Sequence, residues 1–329
     1  METTIHNRSR NRKQERRQND TQSNNNTNNN KGKRKRQTPS HKELTNSLIE
    51  ICNTRQLIES PTGTQKRQRV LNDLDNMLVA WSESLMPGSP NYDSCLISPM
   101  RDKSAATTLL SFGSYRLGVH TPDADVDCLV LAPPHVCRLD FFTSFVDVMK
   151  ANARITELHP ISTAFTPVIK FEIDDVKIDL IFARVVNSKW LTEQRSKVAV
   201  LKQSDQREEM NLDDNVLIGL EEVDVRSANG VRVAQFLLDT LDGKEQVDNF
   251  RVMLRVIKEW ARVQGLYANV LGFLGGVNWA ILCCWICKRN PDAQPSKLVH
   301  LFFTTFAKWS WPVPVYLSRD NQHPPKGGK

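Results

Sequence analysis

Two apolar runs, separated by a small-residue turn and an acidic pair, constrain the fold of this 329-residue chain more than any other feature. The first run, at 109–112, stops at Gly113 and Ser114, and the second run occupies 126–131. The second run has the length and composition of a buried β-strand. Because glycine has no Cβ, backbone N–H groups and the Ser114 hydroxyl can approach an anion such as a triphosphate at this turn. A Gly-Ser pair alone is more often an ordinary turn, so its meaning depends on the residues that follow.

Two carboxylates follow that turn at a spacing of two residues. Side chains on a strand alternate between its faces, so Asp125 and Asp127 share one face, roughly 6.8 Å apart along the backbone. Close carboxylates repel each other unless a cation lies between them, and oxygen ligands suit Mg²⁺ or Mn²⁺. A phosphate-binding turn followed by a metal-binding pair is the arrangement that nucleotidyl transfer requires. The alternative for the pair alone is a solvated strand end.

A third carboxylate lies in the middle of another predicted strand. Strands are predicted at 168–173 and 176–182, with a turn at 174–175. In the second strand the apolar residues share one face, whereas Lys177 and Asp179 lie on the other. Asp179 is therefore predicted to point away from the apolar layer. The alternative is an exposed strand aspartate without a role.

The sequence around these carboxylates resembles that of a known family. FGSYRLGVHTPDADVDCLVLAPPHV resembles the active-site segment of nuclear poly(A) polymerases, which belong to the polymerase-β-like nucleotidyltransferase superfamily, and KIDLIFAR resembles the segment that carries their third catalytic aspartate. The resemblance covers roughly 64–317. It implies that Asp125, Asp127 and Asp179 are catalytic and ligate two Mg²⁺ or Mn²⁺ ions about 3.5–4 Å apart. It also implies ATP as substrate and an RNA 3′ end as acceptor.

The same resemblance nominates further nucleotide contacts, position by position. Those facing the triphosphate are Phe112, Gly113 and Ser114; those near the base and the RNA end are Phe165 and Lys170; those near the sugar and phosphates are Asn229, Lys258 and Tyr267; those beside adenine are Asn269, Gly276 and Val277. Two of these have structural alternatives. Lys258 could lie on a solvated helix face, and Tyr267 could be a core aromatic.

The predicted fold class is α+β, with a nucleotidyltransferase domain of mixed sheet and flanking helices followed by a mainly helical, incomplete middle domain. Its predicted extents are 42–200 for the catalytic domain and 201–318 for the central domain, with 42–63 able to pack on the latter. Helices are predicted at 42–58, 64–86, 141–149 and 250–263, and a polar, irregular linker at 189–225. A further helix is predicted at about 295–309.

The termini are predicted to be disordered, at 1–41 and 319–329. Residues 1–37 carry 11 Lys and Arg against 3 Asp and Glu, a net of +8, so the remaining residues account for −1 of the total of +7. The basic run at 31–36 is typical of a nuclear-localisation or nucleic-acid patch, or of a solubilising tail. No signal peptide or membrane span is predicted, and the expected location is the nucleus.

The seven cysteines do not suggest a disulfide framework, because their number is odd and their spacing irregular. Cys284 and Cys287 have the spacing of half a zinc or redox motif. They lie in the apolar run VNWAILCCWIC, which favours buried thiols.

Three functions remain open from the sequence. The leading hypothesis is template-independent addition of AMP from ATP to an RNA 3′-hydroxyl, as in mRNA 3′-end polyadenylation, with cleavage and polyadenylation factors as partners. A second is transfer of another nucleotide, such as uridylyl or CCA addition. A third is a truncated chain that only binds polyadenylation partners, because the sequence ends at NQHPPKGGK, where the family continues with the rest of the middle domain and an RNA-binding domain.

Overall fold

The computed structural model describes residues 39–85, 107–187, 190–193 and 212–318. The predictions made for most of 1–41, for the basic run within it and for 319–329 lie outside these residues. From residue 40 onward the described chain forms one compact unit. Its elements in chain order are α1 (His41–Thr54), α2 (Pro61–Ser84), β1 (Thr108–Ser111), α3 (Gly113–Arg116), β2 (Val126–Ala132), α4 (Arg138–Phe142), α5 (Ser144–Lys150), β3 (Ile155–Ile161), β4 (Val168–Ile173), β5 (Val176–Arg184), α6 (Glu222–Asp239), α7 (Gly243–Val263), α8 (Gly276–Arg289) and α9 (Pro295–Phe306).

The five strands form one mixed sheet in the order β1-β2-β5-β4-β3. The β2 and β5 strands are parallel, and the other neighbouring pairs are antiparallel. Along β2 every residue except Asp127 is buried, since the sheet is covered on both faces at this point. The prediction of a mixed sheet flanked by helices is confirmed.

One face of the sheet packs against α2, α4 and α5. The apolar stripe of α2 supplies Leu74, Leu78 and Trp81, and the two short helices supply Phe141 and Phe145. Ser60 caps the N-terminus of α2 by accepting from the Gly63 amide, and Pro61 occupies the first turn, where its missing N–H is not needed.

The other face of the sheet packs against α6, which leads into the helical part of the chain. Leu129 and Ile181 from the sheet meet Ala228 and Val231 from α6 in one buried cluster. The remaining helices bury a second apolar layer of their own, in which Phe250 and the other apolar residues of the α7 stripe meet α8 and α9. The N-terminal α1 helix contacts this part as well, through bonds such as Ser296 Oγ to the His41 carbonyl.

Four secondary-structure predictions need correction. The β3 strand was not predicted, because it is an exposed edge strand that contains Pro160 and lacks an apolar alternation. The helix predicted at 141–149 is two helices that meet at Thr143, whose ψ of −85° breaks the helix. The region predicted as irregular up to 225 already contains the start of α6, and α7 begins at Gly243 rather than at 250. Among the described residues no helix is long and apolar enough to span a membrane.

Candidate active site

Parallel pairing of β2 with β5 brings two of the predicted catalytic carboxylates together. In this register Asp127 lies directly opposite Asp179, and Asp125 immediately precedes β2. Asp179 is only partly exposed and lies on the face of β5 opposite the buried Val176, Ile178 and Leu180. The prediction that Asp179 points away from the apolar layer formed by these residues is confirmed, and the structure adds that its strand is the neighbour of the strand with Asp127.

The electrostatics of Asp127 indicate an excess of negative charge. Burial, followed by the nearby Asp125 and Asp179 carboxylates, raises the pKa of Asp127 to about 7. A divalent cation offsets such an excess, and a set of carboxylate oxygens is the donor set that Mg²⁺ or Mn²⁺ prefers. The three residues therefore fit such a metal in chemistry.

The three carboxylates do not form a closed ligand set in the structure. In the described ranges, no group of three or more His, Cys, Asp or Glu side chains is arranged to hold a metal ion. The Asp179 carboxylate instead forms an ion pair with the Lys170 ammonium, which faces it across the β4–β5 register. A metal ion bound at Asp179 would compete with this lysine.

The turn at Gly113 lies against Asp127. Gly113 has a φ of +62°, and a Cβ at this position would lie 2.1 Å from Asp127 Oδ2. The Phe112 amide donates to the Asp127 carbonyl with an N–O distance of 2.9 Å, which fixes the turn on the strand. Both the backbone conformation and the available space therefore require glycine.

A cavity of about 730 Å³ opens beside this turn, between the sheet and the helices α6, α7 and α8. Most of the residues predicted to contact nucleotide line it: Phe112, Gly113, Ser114, Asp125, Asp127, Asn229, Lys258, Tyr267, Gly276 and Val277. A cavity of this volume is in the range of small-molecule sites. The structure thus gathers these ten residues, from separate parts of the chain, around one space.

Four of the predicted site residues do not line this cavity. Lys170 and Asp179 are paired with each other on the sheet beside it. Phe165 is 78% exposed, and its ring lies under the Arg226 guanidinium at 4.2 Å. Asn269 is exposed in a short 3₁₀ turn after α7.

Lys258 is not on a solvated helix face. It is 9% exposed and lies on the cavity wall. Burial, reinforced by the nearby Arg262 and Arg255, lowers the pKa of Lys258 to about 8, although the Asp127 and Asp125 carboxylates act in the opposite direction. A lysine in this setting is well placed to receive an anionic group.

The rest of the cavity wall includes residues that the sequence did not nominate. These are, among others, His120, Thr121, Lys177 and Arg262. Burial lowers the pKa of His120 to about 4, so its imidazole is neutral at pH 7, and neither ring nitrogen has a hydrogen-bond partner among the described residues. His120 and Thr121 belong to the segment that resembles the family's active site, and no local pattern singles them out. The alternation of β5, in contrast, puts Lys177 on the same face as Asp179 and so could have predicted its position.

Tyr267 also borders the cavity. Its ring lies beside the Arg262 guanidinium, 5.1 Å from Cζ, and a Cβ added at Gly276 would come 3.0 Å from the Tyr267 hydroxyl. The hydroxyl end of Tyr267 therefore points toward the start of α8.

The three cysteines of α8 are buried thiols. Among the described residues Cys283, Cys284 and Cys287 are free and buried, and burial raises the pKa of the Cys284 thiol to about 12. The prediction of buried thiols at this motif is confirmed.

The fold is that of a nucleotidyltransferase domain. A crystal structure of the Cid1 poly(U) polymerase with MgGTP bound is similar in fold, with a TM-score of 0.50 and 16% identity over 83% of this chain and 76% of that one. The family model for the poly(A) polymerase nucleotidyltransferase domain matches residues 34–241, and that for the poly(A) polymerase central domain matches residues 249–327. The chain belongs to the poly(A) polymerase family.

Curated relatives agree with this assignment. The chain is similar to the poly(A) polymerase of Dictyostelium discoideum, with 36% identity over 84% of this chain and 31% of the relative, and to poly(A) polymerase PAPa of Candida albicans, with 37% identity over 87% of this chain and 47% of the relative. It is also similar to nuclear poly(A) polymerase 4 of Arabidopsis thaliana, with 38% identity over 79% of this chain and 32% of the relative. The chain thus spans between 31% and 47% of the length of these relatives.

Proposed function

We propose that this chain transfers AMP from ATP to the 3′-hydroxyl of an RNA and releases pyrophosphate. The observation that carries the proposal is the meeting of Asp127 with Asp179 across two parallel strands, directly against the Gly113 turn. This arrangement puts a cluster of carboxylates beside a backbone turn that can accept a polyphosphate. Membership of the poly(A) polymerase family supports ATP and RNA as the substrates.

Asp125, Asp127 and Asp179 would hold two divalent ions, either Mg²⁺ or Mn²⁺. When bound, such ions neutralise polyphosphate charge and lower the pKa of a hydroxyl that attacks phosphorus. The raised pKa of Asp127 supports this role, since it reflects first the burial of this carboxyl and then the nearby Asp125 and Asp179 carboxylates.

The remaining chemistry would be carried out by the protein's own groups. The RNA 3′-oxygen attacks the α-phosphorus, the bond to the β-phosphate oxygen breaks, and Asp179 takes the proton of the hydroxyl. Lys170, already paired with Asp179, lies where it can hold the RNA end close to this base. Most of the rate acceleration then comes from positioning and charge neutralisation.

The ATP molecule would lie in the cavity between the sheet and α6 to α8. The Gly113 turn, Ser114 and the buried Lys258 would receive the phosphates. Asn229 and Tyr267 would contact the sugar and phosphates. Gly276, Val277 and Asn269 would face adenine, and Phe165 would lie near the RNA end.

The domain extents, location and partners belong to the same proposal. We assign the catalytic domain to 42–200 and the central domain to 201–318. The name of the Arabidopsis relative, nuclear poly(A) polymerase 4, supports a nuclear location. We further propose that the chain acts in mRNA 3′-end formation. Cleavage and polyadenylation factors would then be its partners.

The direct test is primer extension by the purified chain. An end-labelled oligo(A) primer is incubated with each of the four nucleoside triphosphates in Mg²⁺ or Mn²⁺, and the products are separated by size. Extension with ATP well above that with UTP, CTP and GTP is the expected result. Preferential extension with UTP or CTP would replace the assignment with another terminal transferase, and no extension with any nucleotide, in a chain that is folded, would favour a binding partner.

A further inference from the structure

Arg67 of α2 reaches the loop that carries Asp125. Its Nη1 donates to the Ala124 carbonyl at 2.8 Å, and its Nη2 donates to the Pro122 carbonyl at 2.7 Å. Arg67 is 5% exposed, so these bonds form away from water. The Ala124 carbonyl belongs to the planar peptide bond whose nitrogen is that of Asp125, so Arg67 fixes the plane from which Asp125 projects.

A buried carboxylate holds Arg67 in turn. Glu59 Oε2 accepts from Arg67 Nε at 3.0 Å, and its other oxygen accepts from the Ser60 amide at 2.9 Å. Both side chains of the pair are buried. Each of the three guanidinium nitrogens of Arg67 therefore donates to a fixed oxygen atom, a geometry that a lysine cannot reproduce.

Gly63 leaves the space that Glu59 occupies. A Cβ at residue 63 would lie 2.1 Å from Glu59 Oε1, so the carboxylate lies over the first turn of α2 and would have to shift if residue 63 had a side chain. The segment from Glu59 to Arg67 thus forms one unit. It is joined to the loop before Asp125 by the two hydrogen bonds that Arg67 donates to the Pro122 and Ala124 carbonyls.

We propose that Arg67, held by Glu59, is a positioning residue that fixes Asp125 in its metal-binding orientation. This inference rests on the proposed function, because it takes Asp125 and Asp127 as metal ligands. Arg67 does not line the cavity, so its effect on the site is transmitted through the Pro122 and Ala124 carbonyls. Residues that orient metal ligands in this way change metal affinity about tenfold to a hundredfold when they are replaced.

The test measures the binding of Mn²⁺ to the full chain in the absence of RNA and nucleotide. Electron paramagnetic resonance reports the concentration of the free ion. The variants are Arg67→Met combined with Glu59→Gln, which removes the pair without leaving a lone buried charge, and Gly63→Ala, which displaces Glu59 but leaves Arg67. Asp127→Asn reports on the metal site itself. Arg69→Met, an exposed arginine on the same helix, is the matched control.

The expected result is a Mn²⁺ affinity about tenfold to a hundredfold lower in the double variant. A smaller loss in the same direction is expected for Gly63→Ala, although alanine in an exposed helix usually stabilises it. Unfolding in urea verifies that each variant is folded, and if the double variant is not, Gly63→Ala carries the test.

Two results would overturn the inference, and they differ. Wild-type Mn²⁺ affinity in the folded double variant or in Gly63→Ala, with loss in Asp127→Asn, rejects the positioning role and leaves the proposed metal site intact. Mn²⁺ binding that Asp127→Asn does not weaken rejects the metal site, and the positioning role with it.

Discussion

The Lys170 ammonium is ion-paired with the Asp179 carboxylate across the antiparallel register of β4 and β5. Asp179 is also the register neighbour of Asp127. The positive charge of Lys170 therefore reduces the repulsion among the clustered carboxylates and acts to lower the pKa of Asp127. The Lys170 ammonium thus supplies positive charge beside Asp179 that a bound divalent ion would supply in its place.

Replacement of Lys170 should therefore tighten metal binding. In Lys170→Met the competing ammonium is lost and the carboxylates repel more strongly, so the Mn²⁺ concentration for half-maximal thermal stabilisation should fall about tenfold, or about 1.4 kcal/mol. Lys150→Met is the control, since Lys150 pairs with Asp147 on an exposed face of α5. Equal Mn²⁺ midpoints in Lys170→Met and the wild type would contradict competition at Asp179.

Gly113→Ala should abolish most of the activity and also lower stability. The positive φ alone costs about 1–2 kcal/mol, and the added methyl group would displace the Asp127 carboxylate. Gly265→Ala is a matched control, because Gly265 has a φ of +68° but no atom within 4 Å of its added Cβ. We expect a similar loss of unfolding free energy from backbone strain in both, with a fall in AMP addition of at least about a hundredfold only in Gly113→Ala. Equal activities would exclude close approach of residue 113 to the site.

Lys258→Met should be more stable than the wild type at pH 7 and much less active. The folded-state pKa of Lys258, about 8, lies below the ordinary lysine pKa of 10.5, so the unfolded chain binds the proton more tightly. Below pH 8 the buried, protonated Lys258 lowers the free energy of unfolding of the wild type by its full amount, and this destabilisation is relieved as the pH rises from 8 toward 10.5. The greater unfolding free energy of the variant, on the order of 1 kcal/mol, should therefore shrink over that interval. Urea unfolding at pH 7 and pH 9.5 measures it, with the exposed Lys244→Met on the same helix as control. A stability advantage of Lys258→Met that grows from pH 7 to pH 9.5 would contradict a lowered pKa of Lys258 in the folded chain.

The strand residues of the site could be predicted from the sequence because their pattern is local. Alternation along β5 puts Asp179 opposite its buried neighbours, and the isolated polar residue in the buried run of β2 is Asp127. The parallel register that sets the two side by side is a tertiary feature. No local pattern in the sequence predicts it.

The parts that were missed depend on long-range packing. The β3 strand has no apolar alternation, since its side chains lie at an exposed edge. Arg67 appears as a polar interruption in the stripe of α2, and only the fold shows that it is buried against Glu59 and the loop before Asp125. Lys258 likewise lies near the flank of an amphipathic helix, and the cavity that buries it is built by other segments.

The central claim is that carboxylates from β2 and β5 act as one site. It is tested most directly by the rate of AMP addition to an oligo(A) primer in Mn²⁺ for Asp127→Asn, Asp179→Asn and Asp175→Asn. Asp175 lies in the exposed turn between β4 and β5 and provides the same chemical change away from the cavity. We expect both Asp127→Asn and Asp179→Asn to lower the rate by at least about a hundredfold to a thousandfold, and Asp175→Asn to leave it within about twofold. Activity of Asp179→Asn close to that of Asp175→Asn would contradict a shared site.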